Sequence, residues 1–315
     1  MPLPAAWTGL LSVPVVAAPM FLTSNPDLVV GCCTSGVVGT FPALNQRTAE
    51  GFDNWLAAIA SRLAAADCHT PFGVNLVVHK SNTRLDADLA LAVKHRVPLI
   101  VTSLGLNRDL IRAVHDYGGT VFHDVVSMAF AEKAIDAGVD GLIAVSHGAG
   151  GHAGTLNPFA FLQELRAIFS GTLLLGGALS TGAQVMAARL MGADLAYMGS
   201  RFLATRESGV PDRQKQMMVE SHARDIILTA AVSGLPANFL RQSFVEAGLD
   251  PDDTRPPEAL NLTIRNEDVK PWKHLWAAGQ GVGAIVELPP VADLCRRLAA
   301  EYRAAGARAA ELANG

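Results

Sequence analysis

The residues best placed to do chemistry lie in Gly141-Leu142-Ile143-Ala144-Val145-Ser146-His147-Gly148-Ala149-Gly150-Gly151-His152-Ala153-Gly154. Residues 142–145 form a short apolar run of the kind that makes a buried strand. The run opens into 148–154, where four glycines surround His152. Glycine lets backbone approach a ligand closely. A histidine among glycines is a group that titrates near neutrality on an otherwise bare surface. The loop is expected to floor a site, with His152 as the residue that meets substrate.

Rival readings of the same residues are weaker. His147, His152, His123 and Asp124 show no recognised ligand spacing, so no metal is expected. Ser146 and Ser103 lack the glycine-flanked elbow of a nucleophilic serine. Gly148-Ala149-Gly150-Gly151-His152-Ala153 formally matches a dinucleotide fingerprint between strand and helix. That fingerprint needs an acidic residue at the end of the next strand, and here the chain reads Leu175-Gly176-Gly177. His123 and His147, taken singly, read as structural. Asp124 ends a strand, and a hydrogen bond to a neighbouring loop competes with a role at the ligand.

These groups need a scaffold. Short apolar runs at 13–18, 36–39, 72–78, 99–101, 121–122, 142–145, 173–175 and 195–198 alternate with helical periodicities. The helices are expected at 26–35, 52–66, 86–95, 108–117, 127–137, 159–169 and 181–191, with Asn25 capping the first ahead of Pro26. Residues 41–51 read as a long irregular loop. Strands apolar on both faces, each followed by a helix, indicate a parallel sheet covered by helices. Eight such units close most simply as a (β/α)8 barrel of the TIM type, an α/β fold, with a doubly wound open sheet as the alternative. After Arg201 the rhythm breaks. Helical stretches at 214–222 and 239–247 and a proline-rich segment, 251–257, suggest an inserted helical lid. The expected division is 1–205 with 276–315 as barrel and 206–275 as lid. A closing amphipathic helix is expected over 291–312.

In such a barrel, function sits at the C-terminal ends of the strands. Two neighbouring ends, Gly176-Gly177 and Gly199-Ser200, are small and precede helices. Free N–H groups at helix N-termini favour phosphate there.

The bulk of the chain excludes several classes. It has 315 residues, 50% of them hydrophobic, enough for a large core. Lys+Arg 25 against Asp+Glu 29 gives a net charge of −4 with no basic block, which argues against nucleic acid or an anionic membrane as partner. Cys32, Cys33, Cys68 and Cys295 form no paired motif; adjacent Cys32 and Cys33 read as buried thiols, and a reducing cytoplasm is expected. Residues 1–9 lack the pattern of a signal peptide, and no apolar run approaches the ~20 residues of a membrane helix.

Several motifs together resemble the nitronate monooxygenase family. They are Ala18-Pro19-Met20 with Ser24-Asn25-Pro26, Phe72-Gly73-Val74-Asn75-Leu76, Gly150-Gly151-His152-Ala153-Gly154 and Gly199-Ser200-Arg201-Phe202. Gly234-Leu235-Pro236-Ala237-Asn238 and Trp276-Ala277-Ala278-Gly279-Gln280-Gly281 are similar to its lid and return segment. The resemblance implies an FMN-bound (β/α)8 barrel. Ala18, Pro19 and Met20 would lie against the flavin, and Asn75 would hydrogen-bond it. Gly150 and Gly151 would touch the cofactor. Gly176, Gly177, Gly199 and Ser200 would hold its phosphate, and Gln280 would close the site. His152 would be catalytic. Some relatives carry lysine where this chain has Asp124, which is counted among the cofactor contacts. Some carry threonine at the Ser200 position, and His147-Gly148 replace an acidic residue often seen before the histidine loop. The implied reaction is oxidation of an alkyl nitronate or nitroalkane by O2 to a carbonyl compound and nitrite. The alternatives are an NAD(P)H-dependent reductase of enoyl thioesters or quinones and, in another class, a flavin- or phosphate-binding barrel without turnover. Expected partners are a small-molecule substrate and O2, with monomer and homodimer both open.

Overall fold

The computed structural model describes residues 3–253, 255 and 273–315. Eight parallel strands close a barrel: β1 (Val15–Ala17), β2 (Val38–Pro42), β3 (Phe72–Val77), β4 (Leu99–Ser103), β5 (Thr120–Val125), β6 (Gly141–Val145), β8 (Thr172–Gly176) and β9 (Leu195–Met198). β9 pairs with β1, Tyr197 opposite Val16, so no edge is left open. The open-sheet alternative is thereby excluded.

Between the strands run α1 (Pro26–Thr34), α2 (Ala49–Ala65), α3 (Leu85–Lys94), α4 (Arg108–Asp116), α5 (Met128–Ala137), α6 (Pro158–Ile168) and α7 (Gly182–Leu190). Local chemistry sets their ends. Asn25 accepts the Leu28 N–H at 2.9 Å, with Pro26 in the first turn, as expected. α5 stops at Gly138, in the left-handed region at φ +88°.

Period-two alternation sorts each strand into two faces. Inside the barrel Val16, Val38, Leu99, Val101, Phe122, Ile143, Leu174 and Leu195 pack into one cluster. β3 contributes Gly73 there, where an added Cβ would strike Leu99 at 2.9 Å and Thr40 at 3.0 Å. On the outer face Val74, Leu76, Ile100, Val121, Leu142 and Leu173 pack beneath Phe52, Leu56, Leu110, Phe161 and Leu165 of the helices. Each such buried side chain contributes about 1.5–3 kcal/mol relative to exposure.

Two expectations need correcting. The 41–51 region is ordered. β2 runs on to Pro42, a single 3-10 turn spans Ala43–Asn45, and Thr48 caps α2 through the Gly51 N–H at 3.0 Å. Its polarity is that of short connections on the mouth side, and Asn45 fixes the β1 loop by donating to the carbonyls of Met20 (3.1 Å) and Ser24 (2.8 Å).

The segment after α8 (Ser200–Leu203) is not helical alone. It carries α9 (Asp212–Glu220) and α10 (Arg241–Glu246), and also two antiparallel strands, β10 (Ile226–Thr229) and β11 (Ala237–Leu240). Residues 239–240, expected in a helix, are the end of β11. β11 also pairs with β7 (Gly151–His152), which lies within the loop after β6, so the lid sheet is three-stranded. A two-residue strand borrowed from a distant loop leaves no periodic trace in sequence. Thr254, Pro256 and Pro257 of the proline-rich 251–257 segment lie outside the described residues. Among the described residues no helix is long and apolar enough to cross a membrane. α11 (Val291–Asn314) closes the chain and buries Val291, Leu294, Cys295 and Leu298 against α1 and α7.

Candidate active site

The C-terminal mouth of the barrel gathers most of the residues singled out in the sequence. One alternation above the inner core stand Ala18, Thr40, Asn75, Ser103, Asp124, Val145, Gly176 and Tyr197. Asn75 is buried and donates to the Val101 carbonyl (3.1 Å) and to the Ser103 hydroxyl (3.0 Å), which fixes its amide at the mouth. Asp124 lies deep in the protein mass, though the open mouth leaves it half-buried. Burial pushes its carboxyl up to about 7. Tyr197 leans over Gly176, where an added Cβ would come within 3.3 Å of its ring. Burial first, and the Asp124 charge second, hold its phenol well above the ordinary range. His123 faces the other way. It is buried, with Nδ1 2.8 Å from the Thr102 hydroxyl, and burial lowers it to about 4. It is a structural, neutral histidine, as expected.

The histidine loop is tied down from three directions. Gly148 has φ +88°, open only to glycine without strain. Its carbonyl accepts from the N–H groups of Gln280 (2.9 Å) and Ala178 (3.2 Å), joining the β6 loop, the β8 loop and the return segment. The Asn238 side chain donates to the Ala149 carbonyl at 2.7 Å. Beyond this hub, Gly151 and His152 pair with Asn238 and Ala237. His152 is half-buried, its Nε2 lies 3.2 Å from the Ser233 hydroxyl, and burial lowers its pKa. Its resting form near neutrality is therefore the uncharged imidazole. Exposed His147 stands off the loop, its N–H held by the Leu156 carbonyl at 2.8 Å.

The phosphate expectation is altered in its physical basis. The N-terminus of α7 is already filled. The Glu301 carboxylate takes the Gly182 N–H at 2.7 Å, and the Gln184 side chain takes those of Ser180 (2.7 Å) and Thr181 (3.1 Å). The end of β9 differs. The Ser200 hydroxyl accepts from the Gly279 N–H at 2.8 Å and keeps its own proton to donate. A Cβ on Gly199 would meet Met20 Sδ at 3.8 Å and Ala18 Cβ at 3.9 Å, so small residues and bare backbone line this part of the mouth.

Small residues at Ala18, Gly176 and Gly199, with the Asn75 amide as a polar group on the same inward ring, suit a flat, mainly apolar ring system at the mouth. Sequence reading missed Ser233 and Tyr197, and quoted Asn238 within a motif without its contact to the histidine loop. Tyr197 was within reach, because it stands two residues beyond the inward Leu195. Ser233 and Asn238 meet the loop only through the lid sheet, which no local pattern announces. The four cysteines are free. Burial pushes Cys33 and Cys295 up to about 12, which keeps both thiols protonated.

Comparison with known proteins fits this geometry. The chain superposes on FabK from Thermotoga maritima with a TM-score of 0.78, covering 96% of each chain at 21% identity. It superposes on a nitroalkane oxidase from Streptomyces ansochromogenes with a TM-score of 0.77, covering 96% of this chain and 99% of that one at 24% identity. Both likenesses show the fold. In sequence it is 25% identical to a nitronate monooxygenase of Paraburkholderia phytofirmans, over 96% of this chain and 95% of the relative. Residues 5–301 match the family profile described as nitronate monooxygenase. The protein is a flavin-dependent oxidoreductase built on a (β/α)8 barrel. It belongs to the nitronate monooxygenase family.

Proposed function

We propose that the protein binds FMN at the barrel mouth and oxidises alkyl nitronates, or their parent nitroalkanes, with O2 to a carbonyl compound and nitrite. The observation that carries this reading is His152, a half-buried imidazole whose pKa burial lowers, paired into the lid sheet on the same loop as Gly150, which packs against Ser200 at the mouth.

Ala18, Met20 and Gly199 would receive the ring, and Asn75 its polar edge. Gly150 and Gly151 would approach it from the histidine loop. Gly176 and Gly177 would approach the phosphate with bare backbone, and the Ser200 hydroxyl would donate to it. Gln280, anchored through Gly148, would close the site. Bound there, the flavin supplies the electron chemistry, first with substrate and then with O2.

The chain's own part is positional and acid–base. A neutral His152 suits the removal of the α-proton of a nitroalkane, since a base must be unprotonated to act. The alternative, an imidazolium that steadies a nitronate anion, is disfavoured because burial penalises the cation. β10, β11 and the return segment around Gln280 shield the reacting atoms from water.

The test begins with the absorbance spectrum of the purified protein and an anaerobic titration. Bleaching by a nitronate, with O2 uptake and nitrite release in air, supports the proposal. Rapid bleaching by NADH with no response to nitronates would give the site to reductive chemistry instead. His152→Asn is expected to lower turnover of neutral nitroalkanes by about 10²–10⁴-fold while the flavin stays bound.

A further inference from the structure

Inward positions on the eight barrel strands carry just two ionisable groups at the mouth, Asp124 on β5 and Tyr197 on β9. The remaining inward groups there are Ala18, Thr40, Asn75, Ser103, Val145 and Gly176, none of which can offset a charge. Neighbouring His123 points outward to Thr102. Among the described residues of the lid, the titratable group at the mouth is His152, which burial disfavours as a cation. Among the described residues Asp124 takes part in no hydrogen bond or ion pair, and Tyr197 in none through its phenol. Among them, therefore, this carboxyl group at the bottom of an open mouth has no cation paired with it, and it lies in the field of a phenol that stays protonated.

Resting on the reading that this mouth holds FMN, we infer that Asp124 takes up a proton when the flavin binds, so that cofactor affinity is set by pH through this one carboxyl. The physical argument is desolvation. A ring placed over the mouth removes the water that now reaches Asp124, and a carboxylate without a counter-ion loses more by this than a neutral acid. The anionic phosphate of FMN adds to the penalty. In the empty site the carboxyl stands near half-protonation at neutral pH, so covering it shifts the balance to the acid. The neutral acid can also donate a hydrogen bond to a carbonyl or ring nitrogen of the flavin, which the carboxylate cannot. The step balances simply: one solvent proton joins one Asp124 carboxylate for each FMN bound, and flavin release returns it.

The sign follows from linkage. Below about pH 7 Asp124 is already protonated, and FMN affinity does not depend on it. Above that value each pH unit weakens binding by up to tenfold, until the pKa of the occupied site is passed.

The experiment titrates the flavin-stripped full-length chain with FMN from pH 5.5 to 9, read by quenching of flavin fluorescence. The phosphate of FMN also titrates near pH 6, so Asp124→Asn is the comparator. The wild type should lose affinity by up to tenfold per unit above pH 7, while Asp124→Asn should stay flat over the same range. Equal slopes in the two proteins would overturn the inference while leaving the flavin site intact. Failure of both proteins to bind FMN at any pH would overturn the flavin reading itself. A second measurement needs no variant. Calorimetric titration of the wild type with FMN at pH 8, in two buffers of different ionisation enthalpy, counts the protons taken up. A value approaching one proton per FMN supports the inference, and zero overturns it.

Discussion

The hydroxyl of Ser233 stands 3.2 Å from Nε2 of His152, and the two residues reach each other across the lid sheet. Ser233 is buried and donates its own proton to the Leu235 carbonyl at 3.4 Å. Ser233 therefore positions the histidine ring.

Removing that hydroxyl should cost catalysis rather than cofactor. A neutral hydrogen bond contributes about 1 kcal/mol. Ser233→Ala is thus expected to lower kcat/KM for a neutral nitroalkane about fivefold. A preformed nitronate, which needs no base, should lose less. Parallel oxygen-uptake assays with the two substrate forms check this, and equal losses would remove Ser233 from the acid–base step.

The pH profile should report His152. Its pKa lies below the ordinary 6.5 because burial disfavours the cation. The base is active when neutral, so kcat/KM for nitroalkanes should rise with pH through a value below 6.5 and level off before pH 7. A midpoint above 7 in initial-rate measurements contradicts the neutral-base assignment.

His123 should make the fold acid-sensitive. Its folded pKa of about 4 is depressed from the ordinary 6.5. Above 6.5 the histidine is neutral in both states. As pH falls from 6.5 to 4 the unfolded chain takes the proton first, so stability is lost in that window. The loss approaches about 3 kcal/mol for this buried group. Asp124, with its raised pKa, opposes this between about 7 and 3.8. The measurement is accordingly comparative: urea midpoints at pH 7 and pH 4.5 for wild type and His123→Asn. The wild type should lose more stability than the variant across that interval.

Gly177 has φ +140°, and an added Cβ would lie 2.4 Å from the Ser146 hydroxyl oxygen and 3.0 Å from the His147 carbonyl. Gly177→Ala should destabilise the protein by about 1–3 kcal/mol from the strained backbone alone, and displace the β6 loop besides. Thermal melting with a flavin-content assay reads both effects.

The barrel was legible because its signal is local. Runs such as 142–145 and 173–175, each bounded by glycine and followed by a helical period, needed no partner to be recognised. The placement of His152 in a glycine-rich loop after β6 and of Asn75 near the end of β3 could be read from local sequence. It was not legible where a side chain's meaning came from a partner far along the chain. The Glu301 carboxylate that occupies the start of α7 lies on the last helix, 119 positions away. Asn238 lies 89 positions from the carbonyl it holds. The lid's strands were hidden for the same reason, since 226–229 and 237–240 are short and find their third strand in the barrel's sixth loop.

That borrowed strand bears on how the molecule can be taken apart. With Gly151 and His152 paired into the lid sheet, the cut between a barrel module and a lid module passes through the backbone of His152. Grafting this lid onto another barrel would carry along neither His152 nor its strand, and a barrel trimmed of residues 206–275 would keep the histidine but lose the surface that aims it. Engineering of substrate preference in this protein should treat 148–154, 226–240 and 276–281 as one interchangeable cassette.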